Sequence, residues 1–250
     1  MRNSAALTAA TPAPEPEPLP GIVSTDFTPL CEKKLFNYAT VAPMSRAAYE
    51  AARTFMEDFF LYGPPEVLYR YDSIADDVVS AWGGLDVWIS NAGISPIVAG
   101  PLQTDASTWR RVLDVNLTGA FLGARAAARV MGDGGRLIFT GSVLGERPRE
   151  GLTAYSASKA GLVGLAKGLA LDLAPAGITV NVVAPGWFDS PLADGWMNDP
   201  ELSARITGHT AQGRWGAPAD LAGAYLFLAS DASAFVTGTV LNVDGGYLLV

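Results

Sequence analysis

The chain has 250 residues, of which 49% are hydrophobic and 17% charged, with a formal net charge of −8. That length and composition fit one large α/β domain and exclude a disordered chain. The acidic balance argues against nonspecific nucleic-acid binding, which depends on neutralising phosphates with basic side chains.

One cysteine, Cys31, allows no intrachain disulfide, and with one histidine, His209, a zinc site of the usual ligand types is not expected. No metal is therefore assigned. No apolar run approaches a membrane span, and Ala5 to Ala10 is too short and too weakly apolar for a secretory signal. The expectation is a soluble cytoplasmic protein with neither a membrane nor a nucleic acid as partner.

Residues 1–20 contain Pro12-Ala13-Pro14-Glu15-Pro16-Glu17-Pro18, an extended and solvated composition read as a flexible tail, with one domain over 21–250. The pattern then predicts strands at Ile22 to Thr25 and near Ala39 to Ala42. A helix follows from Ser45, an acceptable N-cap, through Phe55 and Phe59 to a break at Pro64-Pro65. Glu66 to Tyr71 reads as a third strand with Asp72 just after it, and Ile74 to Trp82 as a helix. Leu85 to Ile89 is a strand closed by Ser90-Asn91-Ala92-Gly93.

A long helix is predicted from about Ser107 to Met131. It carries Asp114-Val115-Asn116 and then a small-residue face of Gly119, Gly123 and Ala127. Arg136 to Thr140 is a strand ending in Gly141-Ser142. Ile178 to Val183, rich in β-branched residues, is a strand leading to Pro185-Gly186. Asp220 to Ser230 reads as a helix and Thr239 to Val243 as a last strand, followed by Asp244-Gly245-Gly246. Strands alternating with helices predict a single-domain, doubly wound parallel sheet, Rossmann-like, with helices on both faces.

Tyr155-Ser156-Ala157-Ser158-Lys159 opens an apolar run through Leu162, Leu165, Leu169 and Leu173, so these residues are expected on the first turns of a buried helix. Residues four apart share a helix face, which sets the Lys159 ammonium beside the Tyr155 phenol. A nearby cation favours the ionised phenol and brings its proton chemistry closer to neutrality.

Ser90-Asn91-Ala92-Gly93, Asn116, Ser142, Tyr155 with Lys159, and Pro185-Gly186, in this order, resemble the classical short-chain dehydrogenases/reductases over roughly the last two-thirds of the chain. The resemblance implies that Tyr155 is the acid/base, that Lys159 lowers its pKa and holds the nicotinamide ribose, and that Ser142 donates to the substrate oxygen. It implies that Asn116 supports a water linking Lys159 to solvent. NAD or NADP is the cofactor it implies, with Asp72, Asn91, Ala92, Gly93, Tyr155, Lys159, Pro185, Gly186 and Ser190 against it. A homotetramer or homodimer built on the two long helices is implied as well.

The activity implied is hydride transfer between the nicotinamide and a secondary alcohol or ketone. Trp187, Phe188, Leu192, Trp196 and Met197 fall where the family has a substrate lid and suit a bulky or aromatic small molecule.

The N-terminal part departs from the family. Between Gly21 and Gly63 there is no glycine, so the glycine-rich turn that admits a pyrophosphate is absent, and Asp26 to Leu30 stands in its place. No acidic residue stands convincingly at the end of the second strand, and Arg46 nearby would suit a 2′-phosphate. Two alternatives stay open: a lyase or isomerase without the dinucleotide, as in halohydrin dehalogenases, which carry arginine where this chain has Lys159, and a noncatalytic partner subunit.

Overall fold

The computed structural model describes residues 70–95 and 98–250, together with the backbone of 35–37. The tail boundary at residue 20, the expected strands at Ile22 to Thr25 and Ala39 to Ala42, the helix from Ser45 and Arg46 lie outside these residues.

Among the described residues, five parallel strands form one sheet in the order β1 (Leu35–Asn37), β2 (Val87–Ser90), β3 (Arg136–Thr140), β4 (Thr179–Pro185) and β5 (Val240–Val243). Leu35 pairs with Val87, Val87 with Arg136, Arg136 with Thr179, and Val182 with Val240, so every described strand points the same way. Parallel neighbours cannot be joined by hairpins. Each crossover carries a helix, and the helices cover the sheet.

Strand residues alternate between the two faces. Trp88, Leu137, Phe139, Val180 and Val182 pack on one side with α1 (Arg70–Trp82), α3 (Gly119–Val130) and α4 (Thr153–Leu173). Val87, Ile89, Ile138 and Val183 pack on the other with Leu228 and Ala229 of α7 (Pro218–Ala229). Trp88 and Phe139 are almost fully buried, and burying one such side chain contributes roughly 1.5–3 kcal/mol.

Two expectations are corrected. Arg70 and Tyr71 belong to α1, not to a strand ending at Tyr71, so this helix starts four residues before Ile74. Burial of Ala75 and Val78 against the sheet, with Tyr71 packed on the same core, favours helix over the strand propensity of its aromatic start.

The helix predicted from Ser107 to Met131 is three pieces: α2 (Ala106–Leu113), a π turn over Asp114–Thr118, and α3. Asp105 caps α2, accepting from Thr108 N at 2.7 Å. The small residues of α3 serve packing within the chain. A Cβ on Gly123 would stand 2.8 Å from the Trp88 ring, one on Gly119 would stand 3.0 Å from the Tyr71 hydroxyl, and Ala127 is fully buried.

Two short helices, α5 (Asp194–Met197) and α6 (Pro200–Gly208), follow β4 before α7. Among the described residues no helix is long and apolar enough to cross a membrane.

Candidate active site

The carboxyl ends of β2, β3 and β4 carry Asn91-Ala92-Gly93, Gly141-Ser142 and Gly186. Open parallel sheets bind their ligands along this edge. The first turns of α4 lie beside it, because the turn Val143–Gly145 that follows Ser142 packs directly on that helix. A Cβ on Gly145 would stand 2.9 Å from both the Lys159 carbonyl carbon and Ala160 N, so only bare backbone permits this approach.

Tyr155 and Lys159 are one helical turn apart in α4, as expected. The Ser142 hydroxyl lies near the Tyr155 phenol and accepts from Leu144 N at 3.1 Å. Lys159 is 3% exposed; its Nζ lies 5.5 Å from the Tyr155 ring centroid and donates to Thr140 O at 2.8 Å.

Burial sets the protonation of both groups. It pulls the lysine from its usual value down to about 8. It also pushes the phenol upward, against the smaller lowering effect of the nearby Ser142 hydroxyl. In this geometry desolvation is the largest influence on the phenol.

Asn116, 1% exposed, lies in the π turn and is fully engaged as a clamp. Its Oδ1 accepts from Ile94 N at 2.8 Å, and its Nδ2 donates to Ile94 O at 3.0 Å and to Ser158 Oγ at 3.0 Å. Ser158 Oγ in turn donates to Tyr155 O at 2.6 Å. Both amide hydrogens are thus spent on protein. The side chain ties the loop after β2 to α4, and the role expected of it, supporting a water, falls to its remaining acceptor capacity.

The cofactor residues divide in two. A Cβ on Gly93 would stand 3.3 Å from Lys159 Nζ and 3.5 Å from Asn116 Oδ1, so bare backbone borders the ammonium. An ammonium has three donors, and Nζ spends one on Thr140 among the described residues. Two remain for hydroxyl oxygens, which fits a ribose.

Gly186 N donates to Val243 O at 2.9 Å, and a Cβ there would meet Asp244 Cα at 2.8 Å. Pro185 pairs with Val243. Ser190 precedes a short turn, and its hydroxyl makes no capping bond, which leaves it free toward an amide. These residues fit the nicotinamide end of a dinucleotide.

Asp72 does not join them. It lies in the first turn of α1 instead of after a strand, and its carboxylate meets Arg125 at 3.3 Å and Arg129 at 3.6 Å on α3. The two arginines make it a tie between helices.

Sequence reasoning assigned no role to Thr140, Ser158 or Gly145. Ser158 stood within the quoted motif, three residues after Tyr155, and its spacing was the available signal. The other two act through contacts with no local trace.

Of the expected lid residues, Trp187 and Trp196 pack against the same buried cluster as Tyr155, formed by Val143, Leu144, Leu152 and Tyr247. Phe188 bridges to Gly216, and Leu192 is half exposed. Behind Trp187 and Phe188 is a cavity of about 200 Å³ lined by Thr210, Gln212 and Asp244 among others.

Residues 69–248 match the family model described as enoyl-(acyl carrier protein) reductase. Cis-4-hydroxycyclohexanecarboxylate dehydrogenase of Sinomonas cyclohexanicum is 40% identical over 184 residues, covering 72% of this chain and 73% of that protein. 3beta-hydroxysteroid dehydrogenase 1 of Eggerthella lenta is 42% identical over 182 residues, covering 71% and 69%. The crystal structure of a gluconate 5-dehydrogenase from Burkholderia cenocepacia in complex with NADP and tartrate superimposes with a TM-score of 0.70 at 36% identity, over 73% of this chain and 72% of that one.

Proposed function

This chain belongs to the short-chain dehydrogenase/reductase family, and on that premise we propose that Tyr155, Lys159, Ser142 and Asn116 carry its chemistry. It is an NAD(P)-dependent oxidoreductase acting between a secondary alcohol and its ketone. When bound, the nicotinamide supplies or accepts the hydride.

The observation that carries the assignment is the buried Lys159, with Nζ 5.5 Å from the Tyr155 ring centroid, at the sheet edge that also carries Ser142. In oxidation the Tyr155 phenolate takes the substrate hydroxyl proton at Oη, and in reduction the phenol returns it. Ser142 Oγ holds the substrate oxygen as charge develops. Lys159 offers its free donors to the ribose hydroxyls, and Asn116 fixes the loop that borders them. Asn91, Ala92, Gly93, Pro185, Gly186 and Ser190 flank the nicotinamide.

Substrates are ring-bearing secondary alcohols. Trp187 and Trp196 offer aromatic walls beside Tyr155, and two relatives are named for hydroxylated rings.

The protein works in the cytoplasm as a homodimer or homotetramer. Ala160, Gly164 and Leu171 make an exposed smooth face on α4, and Phe121 on α3 is exposed as well, which supports pairing through these helices.

The test is a titration with NADH and NADPH followed by tryptophan fluorescence, then oxidation of cyclohexanol with NAD+ or NADP+ at 340 nm. Saturable binding and turnover lost in Tyr155→Phe are expected. Turnover untouched in Tyr155→Phe would remove Tyr155 from the chemistry. Light scattering of Leu171→Lys against wild type checks the assembly, with a smaller particle expected.

A further inference from the structure

Arg125, Arg129, Arg136 and Arg214 each lie within 4.0 Å of an aspartate. Arg149, in the loop between Ser142 and Tyr155, has no carboxylate partner among the described residues.

It is instead held by aromatic rings. Its Cζ lies 5.3 Å from the Trp187 ring centroid and 4.7 Å from that of Trp196, and the Tyr247 hydroxyl is nearby. Partial burial and the nearby Arg205 both disfavour its charge. Cation–π contacts offset part of that cost but cannot replace a counter-ion.

The same layer holds a second unmet donor. The indole Nε1 of Trp187 is buried without an acceptor. Arg147 does not fill the gap, because it donates to the backbone oxygens of Tyr247 and Val250. The exposed acids beside it in sequence, Glu146 and Glu150, make no ion pair with Arg149. In a protein of net charge −8, this wall of the cleft is thus cationic, and its donors are left over.

We propose that Arg149, seated between Trp187 and Trp196, anchors the carboxylate of the substrate, so that the enzyme takes cyclic hydroxy acids whose hydroxyl meets Tyr155. This rests on Tyr155 as the proton-exchanging residue. A single planar guanidinium between apolar rings matches one carboxylate on a hydrocarbon ring better than a doubly charged phosphate. The carboxylate is unchanged in the reaction. The carbinol C–H hydrogen leaves with its electron pair as hydride to NAD(P)+, the O–H proton passes to the Tyr155 phenolate, and an oxo acid results.

The experiment compares 4-hydroxycyclohexanecarboxylate with its methyl ester, each with NAD+ and NADP+, in wild type, Arg149→Met, Arg149→Lys and Tyr155→Phe. Wild type is expected to favour the acid in kcat/KM by about 10- to 100-fold, the range set by a charged hydrogen bond. Arg149→Met is expected to collapse that preference mainly through KM, and Arg149→Lys to restore part of it. Quenching of tryptophan fluorescence by cyclohexanecarboxylate, present in wild type and lost in Arg149→Met, gives a readout independent of turnover.

Equal use of acid and ester by wild type, an undiminished preference in Arg149→Met, or no turnover of the acid overturns the proposal. The oxidoreductase reading survives each of these results while ester or other alcohols turn over. It fails separately, if Tyr155→Phe retains full rate on whichever compound wild type uses.

Discussion

The floor and the wall of this cleft are built on opposite terms. On the floor the groups that fix the geometry have partners: Asn116 meets Ile94 twice and Ser158 once, Ser158 meets Tyr155 O, and Lys159 meets Thr140. On the wall, Arg149 lacks an acid and Trp187 Nε1 lacks an acceptor. Satisfied buried networks hold one geometry, as proton transfer requires, whereas unsatisfied donors are costly unless a ligand completes them. On the proposed reading the floor does the chemistry and the wall the selection.

The sharpest way to break that contrast is at the phenol. Tyr155→Phe removes the proton-transfer group and is expected to lower kcat by about 10²- to 10⁴-fold in steady-state assays, with little effect on stability. A comparable loss from Trp187→Phe, which only reshapes the wall, would erase the distinction.

Next comes the clamp. Asn116→Ala leaves Ile94 N and O without their partner, and chemical denaturation is expected to show a loss of about 1–3 kcal/mol together with reduced kcat. Gly145→Ala drives a Cβ into the α4 backbone and should cost about 1–3 kcal/mol while shifting Ser142 relative to Tyr155.

Lys159 sharpens the comparison through pH. Its folded-state pKa of about 8 lies below the usual lysine value, so between the two the unfolded chain binds more protons than the folded one. Lys159 therefore makes stability rise with pH across that window. Lys159→Met removes the rise, and its melting temperature relative to wild type should be more favourable at pH 7 than at pH 10. The raised phenol of Tyr155 acts in the opposite sense above its usual value, where stability falls as pH rises.

The smallest effect is expected far from the cleft. Arg125→Ala breaks an exposed contact to Asp72 and should change stability by no more than about 1 kcal/mol.

What was legible in the sequence followed local periodicity. The four-residue spacing of Tyr155 and Lys159 placed both on one helical face, and the apolar run of Arg136 to Thr140 gave a strand with the bounds the structure has. Asp72 was misread because Leu68 to Tyr71 is aromatic-rich and imitates a strand end. Packing of Tyr71 beside Gly119 and the pairing of Asp72 with Arg125 favour helix there. The π turn at Asn116 was invisible, since a one-residue slip in hydrogen-bond register leaves no mark on composition.

The order of strands, helices and chemical groups is written in the chain, because the period of two or 3.6 residues is a property of neighbours along it. Which group holds which proton is a different matter. Lys159 falls to about 8 and Tyr155 rises because segments far apart in sequence exclude water from both. Arg149 faces rings instead of an acid for the same reason: desolvation and pairing are set by what the fold brings alongside a side chain.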